Sequence, residues 1–103
     1  MTNIFSNIPD DIPNEIFDDI VKTEKLRIER IVSKGQSSPD TGWYDQEENE
    51  WVIVLSGYGE IEYINGDKVI LKQGDYLDIK AHVKHRVIAT SKTEATVWLA
   101  IFY

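Results

Sequence analysis

Apolar residues fall in short runs broken by turn-forming residues, and this spacing predicts many strands and little helix. Val52, Ile53, Val54 and Leu55 are consecutive and are followed by Gly57 and Gly59, which predicts a strand over 50–56 covered on both faces. Across 60–64, Ile61 and Tyr63 alternate with Glu60 and Glu62, the period-two pattern of a strand with one buried face. Asn65-Gly66-Asp67 then predicts a tight hairpin, because Asn and Gly adopt positive φ at low cost. Val69 and Leu71 continue into the next strand, and Gly74-Asp75 predicts another turn. Leu77 and Ile79 alternate with Asp78 and Lys80, and further strands are predicted over 86–89 and 95–102. An earlier strand is predicted over 26–32, rich in branched residues and interrupted by charge at Arg27, Glu29 and Arg30. Seven or eight short strands with such turns predict an all-β sandwich or barrel.

The N-terminal part reads differently. Pro9, Asp10, Asp11 and Pro13 predict a loop or arm. Ile12, Ile16 and Ile20 recur every four residues with Phe17 and Val21 beside them, which predicts a short amphipathic helix starting near Pro13. A strand through 15–21 is the rival reading of the same residues. The stretch 33–42, with Gly, Ser, Pro and Asp, predicts a loop. The expected organisation is an arm over residues 1–24 and one barrel over 25–103, with no internal repeat and no linker.

Composition narrows the partners. Lys and Arg number 11 against 18 Asp and Glu, a formal net charge of −7, which repels a nucleic-acid backbone and an anionic lipid surface. There is no cysteine, so disulfides, Cys zinc sites and thiolate nucleophiles are excluded. No apolar run approaches the ~20 residues that span a bilayer. Residues 1–7 lack the basic and apolar stretches of a signal peptide, so a cytoplasmic location is expected.

Candidate chemistry is sparse. The two histidines are His82 and His85, and no phosphate-binding glycine loop is present, since Gly57 and Gly59 lack a third glycine and a following helix. Two segments remain, 43–51 (Trp43-Tyr44-Asp45-Gln46-Glu47-Glu48-Asn49-Glu50-Trp51) and 74–85 (Gly74 to His85). Together they resemble the paired motifs of the cupin superfamily. The first family motif ends in Glu, six residues, Gly, matched by Glu50 and Gly57. The second runs from Gly to His, matched by Gly74 and His85, with Lys80 and His82 where the family has Pro and Gly. More narrowly, 28–33 and 43–46 resemble small single-domain bacterial cupins of unassigned function. The resemblance covers residues 26–103. It implies a double-stranded β-helix (jelly-roll) barrel, often dimeric, with a metal or small-ligand site inside its mouth.

Both histidines of the first family motif are missing. One register puts Tyr44 and Gln46 in their places, and the other puts Trp43 and Asp45 there. Side chains alternate along a strand, so one pair faces inward. Residues 46 and 50 share parity without a bulge, which favours Tyr44, Gln46, Glu50 and His85; a bulge would bring Asp45 inward instead. Two chemistries follow. In one, Glu50 and His85, with Gln46 as a weak third donor, hold a divalent Zn, Ni, Mn or Fe ion. In the other, Glu50 and His85 pair with each other without metal, His85 serves as general base oriented by Glu50, and Tyr44 donates a proton or hydrogen bond. His82 is expected to face solvent. The expected partners are a small-molecule ligand and a second copy of the chain, the latter because 97–102 is apolar on both faces. A non-enzymatic binding or regulatory module and a metal-free structural barrel are the alternatives to an enzyme.

Overall fold

The computed structural model describes residues 3–39 and 41–103. They form eight strands: β1 Ile16–Lys22, β2 Arg27–Ser33, β3 Glu50–Ser56, β4 Tyr58–Tyr63, β5 Lys68–Lys72, β6 Tyr76–Ile79, β7 His85–Thr90 and β8 Thr96–Phe102. A five-stranded sheet in the order β1-β2-β8-β3-β6 packs on a three-stranded sheet in the order β5-β4-β7, and every pairing is antiparallel. This is an all-β jelly-roll barrel. Among the described residues no helix is long and apolar enough to cross a membrane.

The helix expected near Pro13 does not form. Residues 16–22 are strand β1, whose Phe17 and Asp18 lie opposite Ile31 and Arg30 of β2. Branched Ile16, Ile20 and Val21 suit a pleated surface, and the free edge of β2 supplies a ladder that no isolated helix can match. The four-residue spacing of the isoleucines has another origin. Ile12 is buried in the arm, Ile16 packs beside it, and Ile20 lies at a register shift between Asp19 and Val21.

Alternation sorts the strands into two faces. Val52, Val54, Ile61, Leu71, Ile79, Trp98, Ala100 and Phe102 point between the sheets and form the main core. The outer residues of β3 are half-buried, so this strand is fully covered on its inner face alone. Outside the large sheet, Ile12, Val32 and Val97 form a second cluster under the N-terminal arm. Arg30 fastens the arm: Nη1 donates to the Ile4 and Ser6 carbonyls at 3.1 and 2.6 Å, and Nη2 donates to Asp18 at 2.6 Å.

Two glycines explain how the sheets approach. Gly57, at φ +79°, links β3 to β4 directly against Thr96, where a side chain would clash. Gly59 lies against the Trp98 ring, and an added Cβ would overlap it. Trp98 thereby fills the interior and donates Nε1–H to Ser33 Oγ at 3.1 Å, in a buried setting. The Asn65-Gly66 hairpin forms as its residues predict, with Gly66 at φ +94° and Asp67 N–H donating to the Asn65 side chain.

Candidate functional site

The first residue of β3 and the first of β7 meet inside the barrel. Glu50 shares its inward face with Val52 and Val54, and His85 lies opposite Tyr63 of β4. The segment before β3 docks on the other side of β7: Tyr44 N–H donates to the His85 carbonyl at 2.8 Å, and His85 N–H donates back at 3.2 Å. This bridge sets the alternation of residues 44–46. Tyr44 and Gln46 line the cavity with Glu50 and His85, whereas Asp45 points away and meets His82 at 2.8 Å on the exposed surface.

Hydrogen bonds define the state of the central pair. His85 Nδ1 lies 2.8 Å from the Val83 carbonyl, which can only accept, so Nδ1 carries a proton. His85 Nε2 then faces Glu50 Oε1 at 3.3 Å, with side-chain exposures of 4% and 13%. Two lone pairs would repel there, and a shared proton turns the contact into an attraction. Burial pushes the His85 imidazole down, but the hydrogen bond to Glu50, the Val83 carbonyl and the Glu50 charge outweigh it and hold it above its ordinary value. Gln46 Nε2 donates to the same Glu50 oxygen at 2.9 Å. The Tyr44 ring lies 5.7 Å from the His85 ring.

The pair lies in the wall of a cavity of about 330 Å³, whose apolar lining includes Val52, Ile61, Val87 and Trp98. The entrance carries charge that the motifs do not contain: Glu15 from the arm, and Arg27 and Glu29 from β2. Arg27 stacks over the Phe102 ring at 4.1 Å and lies 3.4 Å from both Glu29 and Glu48. Burial pushes the Glu29 carboxyl up; Arg27 opposes this, and Asp19, Glu50 and Glu48 add to it. Burial alone raises Glu15. Arg27 and Glu29 share one face of β2 with Ile31, which packs on the core, a period-two cue that decides their direction only once the sheet facing β2 is known.

A sequence profile of the cupin domain matches residues 29–102. The chain belongs to the cupin superfamily. A Ralstonia eutropha JMP134 protein, whose name assigns it provisionally as a mannose-6-phosphate isomerase, is 42% identical over 99% of this chain and 95% of its own, with a TM-score of 0.94. A cupin superfamily protein from Desulfitobacterium hafniense DCB-2 is 18% identical over 92% of this chain and 82% of its own, with a TM-score of 0.75. HppE in its Fe(II) form is 18% identical over 94% of this chain and 54% of its own, with a TM-score of 0.74. The last two likenesses show the fold. No curated protein matches the chain.

Cupins commonly bind divalent metals, and HppE in its Fe(II) form shares this fold. His85 Nε2 and Glu50 Oε1 are spaced as two neighbouring ligands of one ion could be. The third donor fails. A carboxylate accepts, so Gln46 must turn its NH2 toward Glu50, which sends its carbonyl oxygen elsewhere. His82 is outside, engaged with Asp45, which removes both it and the Asp45 register from the cavity. Among the described residues no three His, Asp or Glu side chains are grouped as a metal would need. The donors of this cupin therefore do not fit a resident divalent metal. Beside the site, Arg86 pairs with Glu62 at 2.8 Å and stacks over Trp43 at 4.2 Å.

Proposed function

We propose that this cupin binds a small organic molecule inside its barrel without a resident metal, and that Glu50 and His85 form its polar anchor and acid–base centre. The observation that carries this reading is the 3.3 Å contact of His85 Nε2 with Glu50 Oε1 in the wall of a mostly apolar cavity of about 330 Å³. That volume lies in the range of small-molecule sites, and a few convergent polar groups in an apolar wall are their usual form. His85, fixed by Val83 through Nδ1, presents Nε2 as the working nitrogen. As the imidazolium it can give its Nε2 proton to a ligand atom and become neutral, and as the neutral ring it can take a proton there, with Glu50 stabilising the imidazolium form. Tyr44, 47% exposed, stands beside His85 as a second donor at the entrance.

The isomerase name of the Ralstonia relative is compatible with proton transfer by such a pair. A phosphate ester is a poor match to the entrance, because Glu15 and Glu29 lie there and the one guanidinium is already shared by Glu29 and Glu48. The homodimer belongs to the same proposal. Its natural surface is the outer face of the five-stranded sheet, where Trp51 and Tyr76 rings lie 5.4 Å apart and Tyr76 is 63% exposed.

The test is a screen of neutral and charged small compounds by amide-correlation NMR. Expected hits shift the amides of Val52, Ile61, Val87 and His85 and weaken in His85→Ala. Hits confined to other surfaces would overturn the reading. Products appearing from a hit would mark an enzyme; a hit recovered unchanged would mark a binding module.

A further inference from the structure

We propose that the cavity selects a ligand with an apolar body and a positively charged, hydrogen-bond-donating head, an organic ammonium, over carboxylates and phosphates. This rests on the small-molecule reading above and adds the chemical class of the ligand.

The Glu50 carboxylate supplies the first argument. Its Oε1 takes the Gln46 amide at 2.9 Å and faces His85 Nε2 at 3.3 Å. Among the described residues no group donates to Oε2, and that oxygen is not among the side-chain atoms sealed without a partner. A carboxylate offers several acceptor positions, so a residue lining the cavity keeps acceptor capacity that the protein does not use. The ligand that completes it is a donor.

Charge is the second argument. Glu15, Glu29 and Glu50 line the cavity against Arg27 and His85, so the lining stays net negative whether or not His85 carries its extra proton. Arg27 lies 3.4 Å from Glu29 and Glu48, so an anion that reached its buried Nε, which has no hydrogen-bond acceptor, would sit beside two carboxylates, whereas a cation meets a net negative lining. Aromatic faces are the third argument. Arg27 itself shows what this rim accepts: a cation over the Phe102 ring at 4.1 Å, between carboxylates. Phe17, 57% exposed at the mouth, offers another face.

Three probes of one shape separate the possibilities: 2-phenylethylamine, 2-phenylethanol and phenylacetate, titrated at pH 7 with amide-correlation NMR. The amine is expected to move the cavity amides and to bind at least roughly tenfold tighter than phenylacetate, the worth of a charge-assisted hydrogen bond. That preference should fall below roughly threefold in Glu50→Gln, and fall in part in Glu29→Gln, each variant giving a dispersed native spectrum. Phenylacetate binding as tightly as the amine, or a preference retained in both variants, overturns the proposal. If only the alcohol or the acid occupies the cavity, the small-molecule reading stands and the ammonium assignment falls. If no probe moves the cavity amides, the ammonium assignment falls and the broader screen alone decides the small-molecule reading.

Discussion

Removing His85 should cost far more than neutralising Glu50, and the gap should depend on pH. His85→Ala leaves the Glu50 carboxylate, 13% exposed, with the Gln46 amide as its remaining donor. Breaking a buried ion pair from one side costs ~3–5 kcal/mol, and the surviving amide bond places this case near ~3 kcal/mol. For a domain of this size that lowers the Tm by roughly 12 °C or more. Glu50→Gln leaves no stranded charge, because a neutral His85 can accept from the new amide, and should cost only about 1 kcal/mol. The folded protein holds the His85 proton more tightly than the unfolded chain does. The stability drawn from the pair is therefore complete below the ordinary imidazole value, about 6.5, and is lost as the pH rises through the higher folded-state value. Urea denaturation of the wild type, both single variants and the double variant from pH 5 to pH 9 measures this. The wild type should weaken as the pH rises through the folded-state imidazole value, and His85→Ala should lack that step. The single effects should fail to add by about 1 kcal/mol or more. Equal costs for the two variants with additive effects at every pH would refute the pairing.

Three further outcomes follow from other parts of the barrel. Gly59→Ala should destabilise by ~1–3 kcal/mol and displace Trp98 from its bond to Ser33, read as a lower Tm and a changed near-ultraviolet circular dichroism of the indole. Arg30→Ala should free the Ile4 and Ser6 carbonyls and expose the arm, so limited proteolysis should cut ahead of Ile12 faster while the barrel survives. Chelation should leave the Tm within roughly 1 °C of the untreated value, because a metal that binds the folded state would have stabilised it; a large drop would restore a metal to the site.

The barrel was largely legible because its cues are local. Val52 to Leu55, the Asn65-Gly66 turn and the alternation around Leu77 each depend on a few neighbours, and each strand appears where its own residues place it. β1 was not legible in the same way. Its isoleucine spacing fits a helix as well as an arm followed by a strand, and the deciding partner, β2, lies across a turn. At the cavity, parity along 44–50 separates Tyr44 and Gln46 from Asp45, and the bridge of Tyr44 to His85 enforces that alternation. Arg27 and Glu29 were not legible, because charged residues on a strand read as solvated until the opposite sheet is known; their inward placement is set by the pairing of β2 with β8, and Glu15 joins them from the arm ahead of β1.

The edge strand gives the barrel an uneven hinge. β1 is bonded on one side only, carries a register irregularity at Asp19–Val21, and yet supplies Phe17 at the mouth, with Glu15 just ahead of it. Strands of this kind open locally at a small fraction of the free energy needed to unfold the whole domain. Fraying of β1 would move Phe17 at the mouth, while Glu50 and His85 sit on β3 and β7, neither of which pairs with it.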